Sequence, residues 1–140
     1  MKKMLNTSMI YFIAAIAAGV FYREFTKWQG FTGKTMLAFV HTHLFVFGMI
    51  LFLILALFCS RDDRISESKI FKCFFVFYNS SFPFMVCMML IRGVLQVKGA
   101  VLSKAADAAI SGIAGISHIL LTASLVLLFM ALKKICRTEE

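Results

Sequence analysis

Four stretches without a formal charge, residues 4–22, 35–60, 73–91 and 108–132, constrain this chain more than anything else in it. An α-helix needs about 20 mostly apolar residues to cross a bilayer core, and each stretch approaches or exceeds that length. Hydrocarbon offers the backbone no hydrogen-bond partner, so a crossing segment must satisfy its own N–H and C=O groups as a helix or within a closed barrel. The strict alternation of a barrel strand is absent. The sequence therefore predicts an all-α fold, a polytopic membrane four-helix bundle forming one domain over residues 1–140, with spans at about 4–22, 35–60, 70–91 and 108–132. A content of 61% hydrophobic residues with 16 Phe leaves too little polar surface for a soluble domain.

The net charge of +8 is distributed as in a membrane protein rather than in a nucleic-acid binder, because the 15 basic residues gather at the span ends. Lys2, Lys3, Arg61, Arg64, Lys69, Lys72, Lys133, Lys134 and Arg137 fall on one side, and Arg23, Lys27, Lys34, Arg92, Lys98 and Lys104 on the other. The richer side predicts both termini in the cytoplasm of a bacterial plasma membrane. Tyr22 and Trp28 then fit the outer aromatic belt. Lys2-Lys3 ahead of an apolar core and AAIAAG also resemble a secretory leader, but cleavage would move the new N-terminus outside, against the charge count. Loops are expected at 23–34, turned by Gly30 and Gly33, and at 61–72. Residues 92–107 are expected as a tight turn or a short helix on the outer surface.

Several chemistries lack their residues. All seven carboxylates, Glu24, Asp62, Asp63, Glu67, Asp107, Glu139 and Glu140, lie outside the spans, whereas a proton-coupled exporter needs one in its membrane path. There is no Ser-His-Asp set, phosphate loop or paired acids. Cys59, Cys73 and Cys136 map near the cytoplasmic face and Cys87 mid-span, with no C-x-x-C, so neither a redox dithiol nor a zinc site is signalled. Met85, Met88 and Met89 read first as packing residues. Pro83 beside Asn79, Ser80 and Ser81 predicts a kink in the third span, its neighbours bonding nearby backbone groups.

The three histidines, His41, His43 and His118, all lie within spans, where an ionisable side chain marks a functional site by default. The plain alternative is a neutral imidazole bonded to another helix. Two residues turn an α-helix by about 200°, so His41 and His43 point to nearly opposite sides and cannot share one metal. Counting at 1.5 Å per residue, His43 lies about 10 Å and His118 about 16 Å from the outer ends of their helices. Both belong to the outer half of the bundle. His118 shares its face with Ser111, Ala114, Gly115 and Thr122, small residues that leave room for a flat ligand. His43 shares its face with Phe39, Val40, Val46, Phe47 and Ile50. Two imidazoles from facing helices are one way a bundle holds haem, and Arg23, Lys34 and Arg92 at outer span ends are candidate partners for its propionates.

The segment HTHLFVFGM resembles the His-x-His segment of the catalytic subunit of haem-copper oxidases, especially the nitric-oxide reductase branch, in which His-x-His-Leu/Met precedes an aromatic pair and Gly. The likeness covers residues 41–49 alone. It implies that His41 would ligate a high-spin haem and His43 a low-spin haem, with His118 as the second ligand from another helix. The oxidase subunit has twelve helices in pseudo-threefold array, which implies that a four-helix chain would assemble as a homo-oligomer, a trimer or a dimer, with His41 at the boundary. The whole chain, with GFTGKT running into HTHLFVFGM and GIAGISHILL later, also resembles a family of small four-helix bacterial membrane proteins without an assigned function.

The resulting expectation is a membrane b-type haem protein ligated by His43 and His118, acting in electron transfer with a redox partner, haem handling or gas sensing. The alternatives are a copper-binding or copper-transfer protein using His41, His43 and methionines, and a structural subunit whose histidines only bond between helices. Whether the chain is an enzyme is left open.

Overall fold

The computed structural model describes residues 1–137; Glu139 and Glu140 lie outside the described residues, as does the side chain of Cys136. The elements are α1 (Lys2–Trp28), α2 (Leu37–His43), a π-helical segment (Leu44–Ile50), α3 (Leu51–Arg61), the single turn α4 (Asp63–Glu67), α5 (Lys69–Val97) and α6 (Lys104–Cys136). Four helices are long and apolar enough to cross a membrane: α1, the continuous rod Leu37–Arg61, α5 and α6.

Two helices run past the first charged residue at their C-terminal ends. α1 continues through Arg23 and Lys27 to Trp28, and α5 through Arg92 to Val97. Long basic side chains keep their heads in water while their stems lie on apolar surface, so a charge does not end a membrane helix. Both ends close alike, on a glycine in the left-handed region: Gly30 (φ 60°) with Phe31 N–H donating to Thr26 C=O, and Gly99 (φ 61°) with Ala100 N–H donating to Leu95 C=O. The expected turn or surface helix at 92–107 is therefore replaced by a short link at 98–103, with Arg92 and Asp107 inside helices. α5 runs unbroken through Pro83. Asn79, Ser80 and Ser81 bond back to the Phe75, Val76 and Phe77 carbonyls.

Packing follows the chain. α1 lies against α2, the π segment and α3; α2 lies against α5; and the most extensive contact is α5 with α6. On α6 the buried residues Ser117, Leu121, Ser124, Leu128 and Ala131 recur at alternating steps of four and three, the seam of a coiled-coil-like interface. Its two serines are small enough for close approach, and each donates to a carbonyl of its own helix, Ala114 and Leu121. The buried spine of α5 is aromatic and then methionine, Phe71, Phe74, Tyr78, Phe82, Met85 and Met89, and its Tyr78 and Phe82 meet Phe52, Tyr11 and Phe47 of the first two spans.

Between the second and third spans, Asp62 caps α4 by accepting from Arg64 N–H at 2.9 Å and pairs with the Arg64 guanidinium. The Arg64 side chain, with that backbone bond, holds the Asp62 carboxyl below the usual carboxylate range. A group depressed in the folded state stabilises above its unfolded pKa, about 3.9 for Asp, and that contribution is lost as pH falls through the folded value. Protection of the Arg64 and Ile65 amides is expected to hold at pH 5 and above and to fall below about pH 4. The Asp62→Asn variant should lose that pH dependence; an unchanged profile would contradict the capping role.

Candidate functional site

The Thr35 end of the second span is fixed to α5 by three contacts. Thr35 Oγ1 donates to the Gly93 carbonyl at 3.0 Å, Met36 N–H donates to Gln96 Oε1 at 2.8 Å, and Leu37 packs where a Gly93 side chain would be. From this anchored end the chain reaches His41 and His43, which diverge as their spacing requires. His41 lies against Gly19 of α1, and its Nδ1 is buried without a hydrogen-bond partner. His43 looks away from that interface. Its ring is 5.7 Å from that of Phe47, which in turn lies 6.4 Å from Phe82 of α5.

His43 and His118 share a local arrangement. His43 Nδ1 is 2.8 Å from the Phe39 carbonyl, and His118 Nδ1 is 2.8 Å from the Ala114 carbonyl, each four residues back on its own helix. A carbonyl only accepts, so Nδ1 donates in both, and Nε2 is the ring nitrogen left to meet a ligand. Metal-binding imidazoles are oriented in this way, the second nitrogen held by a carbonyl or carboxylate. His41 has no such partner, and an Nε2 ligand there would leave a buried N–H unpaired.

Counting along the helices gives the two oriented imidazoles similar distances from their contacts with α5. Leu37 meets Gly93, and Ser111 accepts from the adjacent Arg92, so α2 and α6 share a level on α5. From that level His43 lies about 9 Å and His118 about 10 Å further in, at 1.5 Å per residue. His118 lines a pocket of about 260 Å³ with Met36, Met85, Met88, Met89 and Arg92. His43 lies seven residues, or two turns, inward of Met36 on the same helix face. His118 thus lies in a groove on α5 that also takes in Met36 of the second span, whereas His43 is absent from its lining and approaches α5 through Phe47 and Phe82. The pocket is below the roughly 300–1,000 Å³ of a site that encloses a ligand, and Gly115 faces open space with room for a side chain. The His118 side of the groove opens outward.

The basic residues fare differently. Arg92 is taken up by Asp107 and Ser111 at the groove's outer end. Arg23 pairs with Glu24 on α1, and Lys34 is exposed in the α1–α2 connection; neither lines the groove. His41 and His43 do not converge, and it is His118 that meets the methionines. Among the described residues no three His, Cys, Asp or Glu side chains form a metal-binding group, and Cys59, Cys73 and Cys87 are free.

Sequence reasoning passed over a polar cluster in the core. Tyr78 O–H donates to the Phe47 carbonyl (2.6 Å), Ser8 O–H to the Met49 carbonyl (2.9 Å), and Tyr11 O–H to Asn79 Oδ1 (2.9 Å). Tyr11 also packs where a Gly48 side chain would be. The only signals were isolated polar residues in apolar runs, and of these Asn79 alone stands beside a proline.

Fold and groove define a four-span helical protein with the character of an integral membrane protein. The chain belongs to the family described as a protein of unknown function, DUF2871, which it matches over residues 1–135. This agrees with the likeness to a small four-helix family of unassigned function. No curated protein and no solved structure matches the chain.

Proposed function

We propose that this protein binds b-type haem in the outer half of the bundle, with His43 and His118 as axial ligands, for electron transfer, haem handling or gas sensing. The observation that carries this reading is the paired Nδ1–H···O=C bonds at His43 and His118, on two helices that both pack against α5. The donor set fits haem: two imidazoles whose Nδ1 is held by a carbonyl and whose Nε2 is left to ligate, with Phe47, Phe82 and thioethers nearby. Haem bound there would supply a one-electron iron couple. The role of His43 agrees with its counterpart in the oxidase-like segment.

The groove's open side favours a homo-oligomer, in which a second copy covers what one chain leaves exposed. Both termini face the cytoplasm of a bacterial plasma membrane, by the distribution of basic residues. The second reading is a copper(I) protein. It is favoured by one observation, the convergence of Met36, Met85, Met88 and Met89 on His118, because thioethers select soft metals.

A haem titration of the purified protein in mild detergent separates these readings. Saturable binding at one haem per chain with a shifted Soret band is expected. Absence of a shift, with tight silver(I) binding instead, would favour the copper reading.

A further inference from the structure

The stretch LFVFGMI (Leu44–Ile50), directly after His43, is π-helical inside an otherwise α-helical span. A π turn closes i→i+5 rather than i→i+4, so it takes in an extra residue and sets one flank back by about 100° relative to the other. Both flanks are anchored independently. Outward, Leu37 and Thr35 fix α2 on Gly93; inward, Phe52, Leu55, Ala56 and Cys59 of α3 are buried in the core. The π segment reconciles the two registers, so that α2, and His43 with it, keeps the direction set at the Gly93 contact while α3 stays buried in the core. Two hydroxyls from different helices hold it. Tyr78 of α5 bonds the Phe47 carbonyl and Ser8 of α1 bonds the Met49 carbonyl, and the Phe47 ring adjoins His43.

We infer that Tyr78 and Ser8 are positioning residues, which clamp the π segment from both sides and so hold His43 in the direction that its register on α2 gives it. Its functional meaning rests on the haem reading; its structural content does not.

The test uses Tyr78→Phe and Ser8→Ala in the full chain, with Tyr11→Phe as control, since the Tyr11 hydroxyl bonds Asn79 and not the π segment. Losing one such bond is expected to speed amide exchange across residues 44–52 about five- to tenfold. In the haem-free protein the His43 ring resonances should shift or split in Tyr78→Phe and Ser8→Ala and stay put in Tyr11→Phe. In the haem-loaded protein the same two variants should turn part of the low-spin signal into high-spin. Faster exchange with His43 resonances unmoved would make the hydroxyls merely structural and overturn the inference, as would no change at all. If the parent protein takes up no low-spin haem, the haem reading fails, and the His43 resonances still decide the positioning role.

Discussion

His43→Ala and His118→Ala are each expected to abolish the low-spin haem spectrum, while His41→Ala keeps it. Loss of an outer-shell partner typically costs about 10–100-fold in affinity, and loss of the ligand itself should cost more. Neither substitution should unfold the chain, because His118 is exposed and His43 only half-buried. The collapse of the spectrum would then report ligation rather than stability. His41 is the informative control: two residues from His43, of the same chemistry, and packed on Gly19 without an Nδ1 partner. Absorption spectra of the three variants in one detergent, with circular dichroism to confirm helicity, measure this. A His41→Ala protein that alone loses its spectrum would reverse the assignment.

Gly93→Ala is expected to be the most damaging small change in the chain. An added Cβ would lie 2.6 Å from both the Leu37 Cγ and the Leu37 backbone nitrogen. A side chain can rotate away, but a helix backbone cannot, so α2 must move off α5. Overpacking of this kind costs about 1–3 kcal/mol, and here it also disturbs the Thr35–Gly93 bond that anchors the helix carrying His43 on α5. Gly115→Ala meets open space and should be neutral or raise stability, by up to about 1 kcal/mol from helix propensity. Thermal unfolding followed by circular dichroism, with haem titration of each variant, checks both. Equal melting temperatures for the two would contradict the close α2–α5 contact.

The four spans were legible because the lipid requirement writes itself as long uncharged runs, and the divergence of His41 and His43 follows from helix geometry alone. Helix ends were less legible: Arg23 and Arg92 looked like the first residues of loops, whereas snorkelling lets α1 and α5 continue beyond them. The π segment left no mark in composition, since LFVFGMI satisfies an α-helix as well as a wider one. Its stability comes from Tyr78 and Ser8, hydroxyls 31 and 41 residues distant in sequence from the carbonyls they reach. Gly48 and Gly93 were equally silent, because a glycine signals close approach only once Tyr11 and Leu37 are known to face it. For the candidate site, Met85, Met88 and Met89 read as packing; they are indeed buried, yet they also wall the His118 pocket.

The most direct measurement is low-temperature electron paramagnetic resonance of the ferric, haem-loaded protein, made on the parent chain and with 15N-labelled histidine. Two oriented imidazoles predict a six-coordinate low-spin signal with nitrogen couplings from two histidines. A purely high-spin signal, or coupling to a single histidine, would contradict ligation by His43 and His118.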